Sequence, residues 1–503
     1  MVISFFILFC VTAALAVVLK VFIKCREVAK LLKKLPNFCA VPSLPLLGSA
    51  FLFRDATPDG ILRTMTKFHR QYGKNLILQE LGNEFKLLTT DPRVIEQVMQ
   101  TRNIKKTKIY RFLSPWLGNS SVSLDGQRWS TRRKIISPAF HYKMLDDFIL
   151  TMVAQADVLV EKLRGHVGGS DLDIYLPVRY CTMDVIYETA LGIKLQSQNN
   201  PNVQQVEASE EFLDLVHKRI FNPLMRSNII YSWTEAGQRQ KKLESVLNNF
   251  MDTVMQERKH SLINNAAHES NGKNHSIKTT FLDLLLQTRH DDEPLPDKEI
   301  RGEVNTFMFA GHETITSCVS FALYYLSRNP NIQQKVYSEI VSVYGAEGNV
   351  RSATITLPSL QQLKYMDMVI KETLRISPSV PFIGRSSAGD MTVDGVVIPA
   401  ETEVLINVYI MHNDPDQYPE PDRFLPERFE DEDGKTSFSY LPFSAGIRSC
   451  VGQRFAMLEM KTILVKLLAN YRMLPCKQEN ELQFKSDLTL KPSKGAFIQI
   501  LER

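Results

Sequence analysis

The sequence predicts a mainly α-helical protein with small antiparallel β-sheets, preceded by one membrane-spanning helix. Three observations predict it. Residues Val2 to Leu19 carry no charge. Long segments repeat apolar residues at helical spacing. The β-branched runs are short and separated by turn residues, near Met391 to Pro399, Val404 to Val408 and Ala496 to Leu501. The chain has 503 residues, is 44% hydrophobic and carries a net charge of +5. That buries a sizeable core. It also argues against a nucleic-acid binder, since no Lys/Arg run is interleaved with aromatic residues.

The N-terminal apolar run is broken at Lys20 and continues through Val21, Phe22 and Ile23. About 20 helical residues cross a bilayer core. Lys20, Lys24, Arg26, Lys30, Lys33 and Lys34 cluster at its end against Glu27 alone, so the positive-inside rule puts the following chain in the cytoplasm. A cleaved signal peptide fits less well, because the charge is on the wrong side and the Ala14-Leu15-Ala16 triplet lies inside the run. We divide the chain into an anchor (1–23), a basic, proline-containing linker (24–48) and a folded body (49–503). Pro36, Pro42, Pro45 and Gly48 should break any helix in the linker.

Further along, Lys259 to Thr280 is polar and reads as a mobile surface loop. Glu299 to Asn329 reads as a long central helix, with Ile315, Cys318, Val319, Ala322 and Leu326 at helical spacing and Pro330 as its stop. Gly311 within it costs about 1 kcal/mol relative to alanine. Close helix packing or room for a ligand against the backbone would each explain it. An amphipathic helix follows Cys450, burying Met460, Ile463, Leu464, Leu467 and Leu468 on one face.

The cysteines are Cys10, Cys25, Cys39, Cys181, Cys318, Cys450 and Cys476. They are odd in number and widely spaced, with no CxxC pair, which argues against structural zinc and a disulfide scaffold. Cys450 differs from the rest. Gly446 lies four residues before it, Arg448 two before it and Gly452 two after it. A thiol there has backbone N–H groups and a cation at hand, a setting that suits either metal ligation or nucleophilic attack. Glu372 and Arg375, three apart, share a helix face and can pair, although surface helices carry many such pairs. Trp129 and Arg133 sit among Arg128, Arg132 and Lys134, which by default are solvated surface charges.

Together these segments resemble the cytochromes P450. Phe443, Gly446, Arg448, Cys450 and Gly452 match the haem-binding signature FxxGxRxCxG at every fixed position. The resemblance makes Cys450 the axial thiolate of haem iron, which favours O–O cleavage, and decides between ligation and nucleophile. Glu372 and Arg375 resemble the ExxR pair, and Pro426-Glu427-Arg428-Phe429 resembles the PERF segment. Glu372, Arg375 and Arg428 would then form a structural ionic triad holding the Cys450 loop. Ala310-Gly311-His312-Glu313-Thr314 resembles the oxygen-activation motif. There Gly311 opens the helix beside bound oxygen, while Thr314 and Glu313 relay protons. His312 faces away. Trp129 and Arg133 resemble the WxxxR helix that binds a haem propionate, with Arg385 and Arg448 as further propionate ligands. Arg128, Arg132 and Lys134 would alternatively form a docking face for an acidic redox partner.

Flanking residues, among them Glu303 to Phe309 and Gly452 to Lys461, resemble the animal, and specifically insect, family-four microsomal enzymes. Ala310 stands where many of those carry a Glu that esterifies a haem methyl, so haem b should be held non-covalently. Ile447 and Ser449 replace the usual Pro and Asn at variable positions of the signature. The resemblance implies a monooxygenase of the endoplasmic reticulum membrane, inserting one oxygen atom from O₂ into a lipophilic substrate. Candidate substrates are a fatty acid, a hydrocarbon, a hormone-like terpenoid or steroid, or a xenobiotic such as an insecticide. Electrons would come from NADPH-cytochrome P450 reductase, with cytochrome b5 as a second donor. Substrate contacts are expected from Lys106 to Asp125, Phe307, Ala310 and Val380 to Ile383. Two rivals stand beside this reading. One is a reductase-independent isomerase or dehydratase acting on a peroxide, and the other a haem sensor or carrier.

Overall fold

The computed structural model describes residues 2–44, 47–80, 85–101, 104–200, 204–269, 280–290, 292–345, 350–352, 354–393, 395–430, 438–477 and 481–503. Helices dominate, and one runs through the middle of the body. This central helix spans Asp297–Arg328. Pro296 caps its start, Asp297 and Glu299 sit in its first turn and Arg328 in its last, each charge matching the helix dipole. Ile315, Cys318, Val319, Ala322 and Leu326 are fully enclosed. The helices Tyr175–Leu191 and Gln453–Asn470 pack against it. Gly311 explains one of these contacts. A Cβ at that position would lie 2.5 Å from Ile186 Cδ1 on the neighbouring helix.

The largest sheet has six strands, in the order Cys39–Ala40, Asn75–Gln79, Phe85–Thr89, Glu403–Asn407, Phe382–Ser387 and Ile104–Lys105. It is mixed rather than antiparallel. Cys39–Ala40 runs parallel to Asn75–Gln79, and Glu403–Asn407 parallel to Phe85–Thr89, with Val404 opposite Leu87. Parallel pairing needs a long connection, here residues 41–74 in the first pair and 90–402 in the second, so local sequence could not announce it. The remaining sheets are small and antiparallel. One is the hairpin Phe484–Ser486 with Leu490–Pro492, whose turn reaches the central cavity.

Other segments depart from expectation. The helix Gln453–Asn470 is buried almost all round, not along one face: Glu459, Lys461 and Lys466 are enclosed with its leucines. Lys461 Nζ meets Asp367 at 2.8 Å and Lys466 Nζ meets Asp157 at 2.7 Å, so their charges are matched internally. The segment read as a loop from Lys259 is helical to Glu269. Residues 270–279 lie outside the described residues, and Thr280 caps the next helix in a capping box with Asp283. The first helix runs from Val2 to Lys34 and so continues through the basic cluster. Beyond it, Leu35, Phe38 and Val41 are buried against the six-stranded sheet. Among the described residues, no helix is long and apolar enough to cross a membrane.

Candidate functional site

The Cys450 loop is built from backbone conformations that few residues tolerate. Gly446 has φ +66°, and a Cβ there would stand 2.9 Å from the Met99 carbonyl oxygen. Glycine avoids both penalties. The Cys450 N–H donates to Phe443 O at 2.9 Å, and Arg133 Nη1 donates to Ser449 O at 2.9 Å. Burial pushes the Cys450 thiol above its ordinary value, while the N–H groups of Gly452 and Gln453 and the cations Arg133 and Lys106 pull it down. Its accessible surface forms wall in a cavity of about 480 Å³.

Ala310, Gly311 and Thr314 of the central helix line the same cavity, as do Trp129, Arg133, Arg385, Phe443 and Arg448. Most of its surface is apolar. Phe307 stacks on Phe281 at 4.3 Å between ring centres, and Val380, Phe382 and Ile383 add further wall. From the expected Lys106–Asp125 segment, Lys106, Tyr110, Leu113 and Val122 reach the cavity.

At one side the cavity gathers positive charge. Arg448 lies 4.0 Å over the Trp129 ring and donates through Nη1 to Leu124 O and through Nη2 to Asp125. Arg385 donates to Gly384 O and Ser444 Oγ. Arg385 Nε and Arg448 Nε are buried without a hydrogen-bond partner. Burial lowers both guanidinium pKa values, that of Arg448 to about 10. Lys106 joins them, a residue the sequence reading took only as wall. Its ammonium sits 4.6 Å over Tyr110, and burial followed by repulsion from Arg385 and Arg448 drives its pKa well down. Arg385, Arg448 and Lys106 thus gather around one acid, Asp125.

Behind the loop, Arg375 Nε and Nη2 donate to Glu372 at 2.7 and 2.9 Å, and Arg428 Nε reaches Glu372 at 3.4 Å. Arg375 Nη1 also donates to His412 O. His412 then accepts the Leu441 N–H at Nε2, 2.8 Å, two residues before Phe443. Its Nδ1 meets Leu374 O, so Nδ1 carries the proton. Burial lowers its pKa to about 3, which keeps it neutral. Nothing in the sequence singled out His412, because its partners lie 29 and 38 positions away.

The central-helix acid is arranged differently from expectation. Thr314 Oγ1 lines the cavity and donates to Ala310 O at 2.8 Å. Glu313 does not line it. Its carboxylate is fully buried and meets Lys491 Nζ at 2.7 Å, His312 Nε2 at 3.2 Å and Arg179 Nη2 at 3.5 Å. Burial alone would raise its pKa, but these groups, Lys491 foremost, hold it well below the usual carboxylate range. Glu313 and Thr314 therefore share no direct hydrogen bond. Adjacent helical residues point about 100° apart, which is why neighbours in sequence diverge here. Thr489 Oγ1, in the hairpin turn, lies 3.4 Å from Glu313 Oε2 and lines the cavity. His312 faces away from the cavity, as expected, and bonds Met308 O.

Arg132 is not a solvated surface charge. It is buried between Glu299, with which it forms an ion pair, and Glu303 at 3.5 Å. Arg128 and Lys134 are exposed. Glu303 also reaches the cavity wall, and burial pushes its pKa up to about 7.

Residues 40–499 match the family model for cytochrome P450. The chain is 37% identical to cytochrome P450 4d2 of Drosophila melanogaster over 470 residues, covering 92% of this chain and 93% of that one. It is 33% identical to human cytochrome P450 4V2 over 493 residues, covering 95% and 93% respectively.

Proposed function

Because the chain belongs to the cytochrome P450 family and is a P450 monooxygenase, we propose that it binds haem b, whose iron the Cys450 thiolate would ligate, and oxidises a lipophilic substrate in the cavity that Cys450 and the central helix share. Haem b is the family's cofactor, and the residues fit it. The thiol supplies a soft ligand. Gly446, lacking a Cβ, lets the loop pack against the Met99 carbonyl and so fixes where the thiol sits. Arg133, Arg385, Arg448 and Lys106 await an anion, and the unpartnered Nε atoms of Arg385 and Arg448 suit propionates. Bound there, haem supplies O₂ reduction, with thiolate donation favouring O–O cleavage.

The remaining roles belong to this chain's own groups. Glu372, Arg375 and Arg428, working through His412 and Leu441, hold the Cys450 loop in place. Thr314 presents a hydroxyl to the cavity. Glu313 keeps its negative charge and acts on the cavity by accepting a hydrogen bond from Thr489 Oγ1, which holds that hydroxyl at the cavity wall. Ala310 offers no carboxyl for an ester link, so the haem is held without a covalent bond. Apolar walls formed by Phe307, Val380 and Phe382 exclude water and suit a hydrocarbon-rich substrate.

The catalytic body, from residue 49, works at the cytoplasmic face of the endoplasmic reticulum, tethered by residues 1–23. Supporting this, Phe5, Ile7, Leu8, Val11, Leu15, Val18, Leu19, Phe22 and Ile23 are exposed along the first helix, and basic residues occupy its C-terminal part. NADPH-cytochrome P450 reductase supplies the electrons, assisted by cytochrome b5, docking near exposed Arg128 and Lys134 but not buried Arg132. The observation that carries the proposal is the Cys450 thiol opening into an apolar cavity that the central helix shares. The test is the Cys450→Ala protein, whose reduced carbon monoxide complex should lose the strongly red-shifted Soret band. Retention of that band refutes the ligand assignment.

A further inference from the structure

A second pocket, of about 310 Å³, lies outside the substrate cavity. The 3₁₀ helix Lys108–Leu113 separates the two. Tyr110 and Leu113 line the substrate cavity, while Arg111 and Phe112 line the outer pocket. The outer pocket also takes Arg219, Lys298, Asn119 and Asn228. It holds three cations, and among the described residues no Asp or Glu lines it. Arg111 and Lys298 are exposed and form no ion pair among the described residues. Glu244 attracts Arg219 without lining the pocket.

Arg219 is a built feature rather than a loose surface charge. It is 5% exposed. Its guanidinium lies 4.7 Å from the Phe112 ring centre and 4.1 Å from that of Tyr231. Nε donates to Met225 O at 3.1 Å, and Nη2 donates to Asn228 Oδ1. Nη1 has no hydrogen-bond partner among the described residues. The rings and the two hydrogen bonds aim a rigid fork, the geometry that suits a phosphate oxygen.

Beside this pocket the chain exposes apolar side chains. Leu224 is 64% exposed, Ile229 75% and Trp233 84%. They flank Asn228, which is itself pocket wall. Cations without acids next to exposed apolar and indole side chains match the two halves of a phospholipid, its phosphate and its acyl chains.

We propose that this pocket binds the phosphate of a phospholipid headgroup, with Arg111, Arg219 and Lys298 around the phosphate and Leu224, Ile229 and Trp233 against the acyl region. The proposal rests on the membrane-associated reading above. It needs no spanning segment, so the test uses a soluble lipid and fails independently of the anchor. The shared 3₁₀ helix gives the site a route to the substrate cavity.

The experiment titrates the full-length haem-loaded protein, in non-ionic detergent, with three probes by calorimetry. They are dihexanoyl phosphatidylglycerol below its micelle concentration, inorganic phosphate and phosphate-free dihexanoylglycerol. The phosphatidylglycerol should bind at least about tenfold more tightly than either partial probe. Arg111→Glu with Lys298→Glu should weaken it by at least about tenfold, since each basic residue at a lipid surface contributes on the order of 1 kcal/mol. Both positions are exposed, and an unchanged melting temperature checks the fold. Arg111→Gln with Lys298→Gln gives the same direction if the reversal misfolds. Leu224→Ser with Ile229→Ser should weaken the lipid but not inorganic phosphate. Unchanged lipid affinity in the charge variants overturns the site. Inorganic phosphate binding as well as the lipid, or the phosphate-free lipid binding as well, overturns the headgroup assignment.

Discussion

Lys491 is the residue whose loss should reveal how Glu313 is held. Its ammonium lies 2.7 Å from Glu313 Oε2, and both side chains are almost wholly enclosed. At an effective dielectric of about 20, two unit charges at that separation attract by about 6 kcal/mol before desolvation is counted. Desolvation offsets most of this, yet removing one partner of a buried pair still costs about 3–5 kcal/mol. In Lys491→Met, Glu313 keeps Arg179 at 3.5 Å and His312 at 3.2 Å, so the loss should fall at about 3 kcal/mol, the low end. Glu313→Gln should cost less, because Lys491 retains Asp487 at 3.2 Å. The double variant should be more stable than the sum predicts by at least about 1 kcal/mol. The pH dependence has a definite sign. Glu313 is held below its unfolded value in the wild type, so its contribution exists at neutral pH and fades as pH falls through the folded value. Without Lys491, burial dominates and raises the carboxyl, so acid relieves the variant. The gap between the two proteins should therefore narrow from pH 7.5 to pH 5. Urea unfolding followed by tryptophan fluorescence at both pH values measures it. A Lys491→Met loss below about 1 kcal/mol at neutral pH, or strict additivity in the double variant, would refute the pairing as the dominant influence on Glu313.

Three further outcomes follow from the site. Gly446→Ala adds a Cβ 2.9 Å from a backbone oxygen at positive φ. It should cost about 1–3 kcal/mol and speed haem loss, measured by transfer to apomyoglobin; unchanged haem retention contradicts the strain. Arg385→Met removes a guanidinium whose Nε is unpartnered, and haem should dissociate about tenfold faster, consistent with the loss of one charge-assisted bond. His412 has a folded pKa of about 3. Below its unfolded value of about 6.5 the unfolded chain takes up the proton first, costing the wild type up to about 1.4 kcal/mol per pH unit. His412→Gln should flatten that slope between pH 6.5 and 5, and an unchanged slope in urea midpoints would show that His412 is not the group responsible.

What could be read from the sequence was what the chain carries locally. The Cys450 loop spans a few consecutive positions, so its glycines, cation and thiol are visible together. The central helix declares itself by periodicity and proline stops, and Asp297–Arg328 differs from the expected 299–329 by a residue or two. Glu372 and Arg375 are one turn apart and meet as that spacing allows. The failures share a cause. Arg132 reads as surface because its neighbours are basic, but Glu299 and Glu303 bury it from 167 and 171 positions away. Gln453–Asn470 reads as amphipathic because lysines and a glutamate interrupt it, yet Asp157 and Asp367 from distant helices meet the ammonium groups of those buried lysines at the edge of the core. Glu313 sits beside Thr314 in sequence and faces away from it in space, its partner Lys491 lying on a hairpin 178 residues later. A charge in the sequence reports neither its burial nor its partner, because both are set by long-range packing. The chemistry opposite Cys450 therefore depends on the hairpin as well as the helix. Thr489, which no motif contains, lines the cavity beside Thr314, which the motif names, and of the two only Thr489 reaches the Glu313 carboxylate.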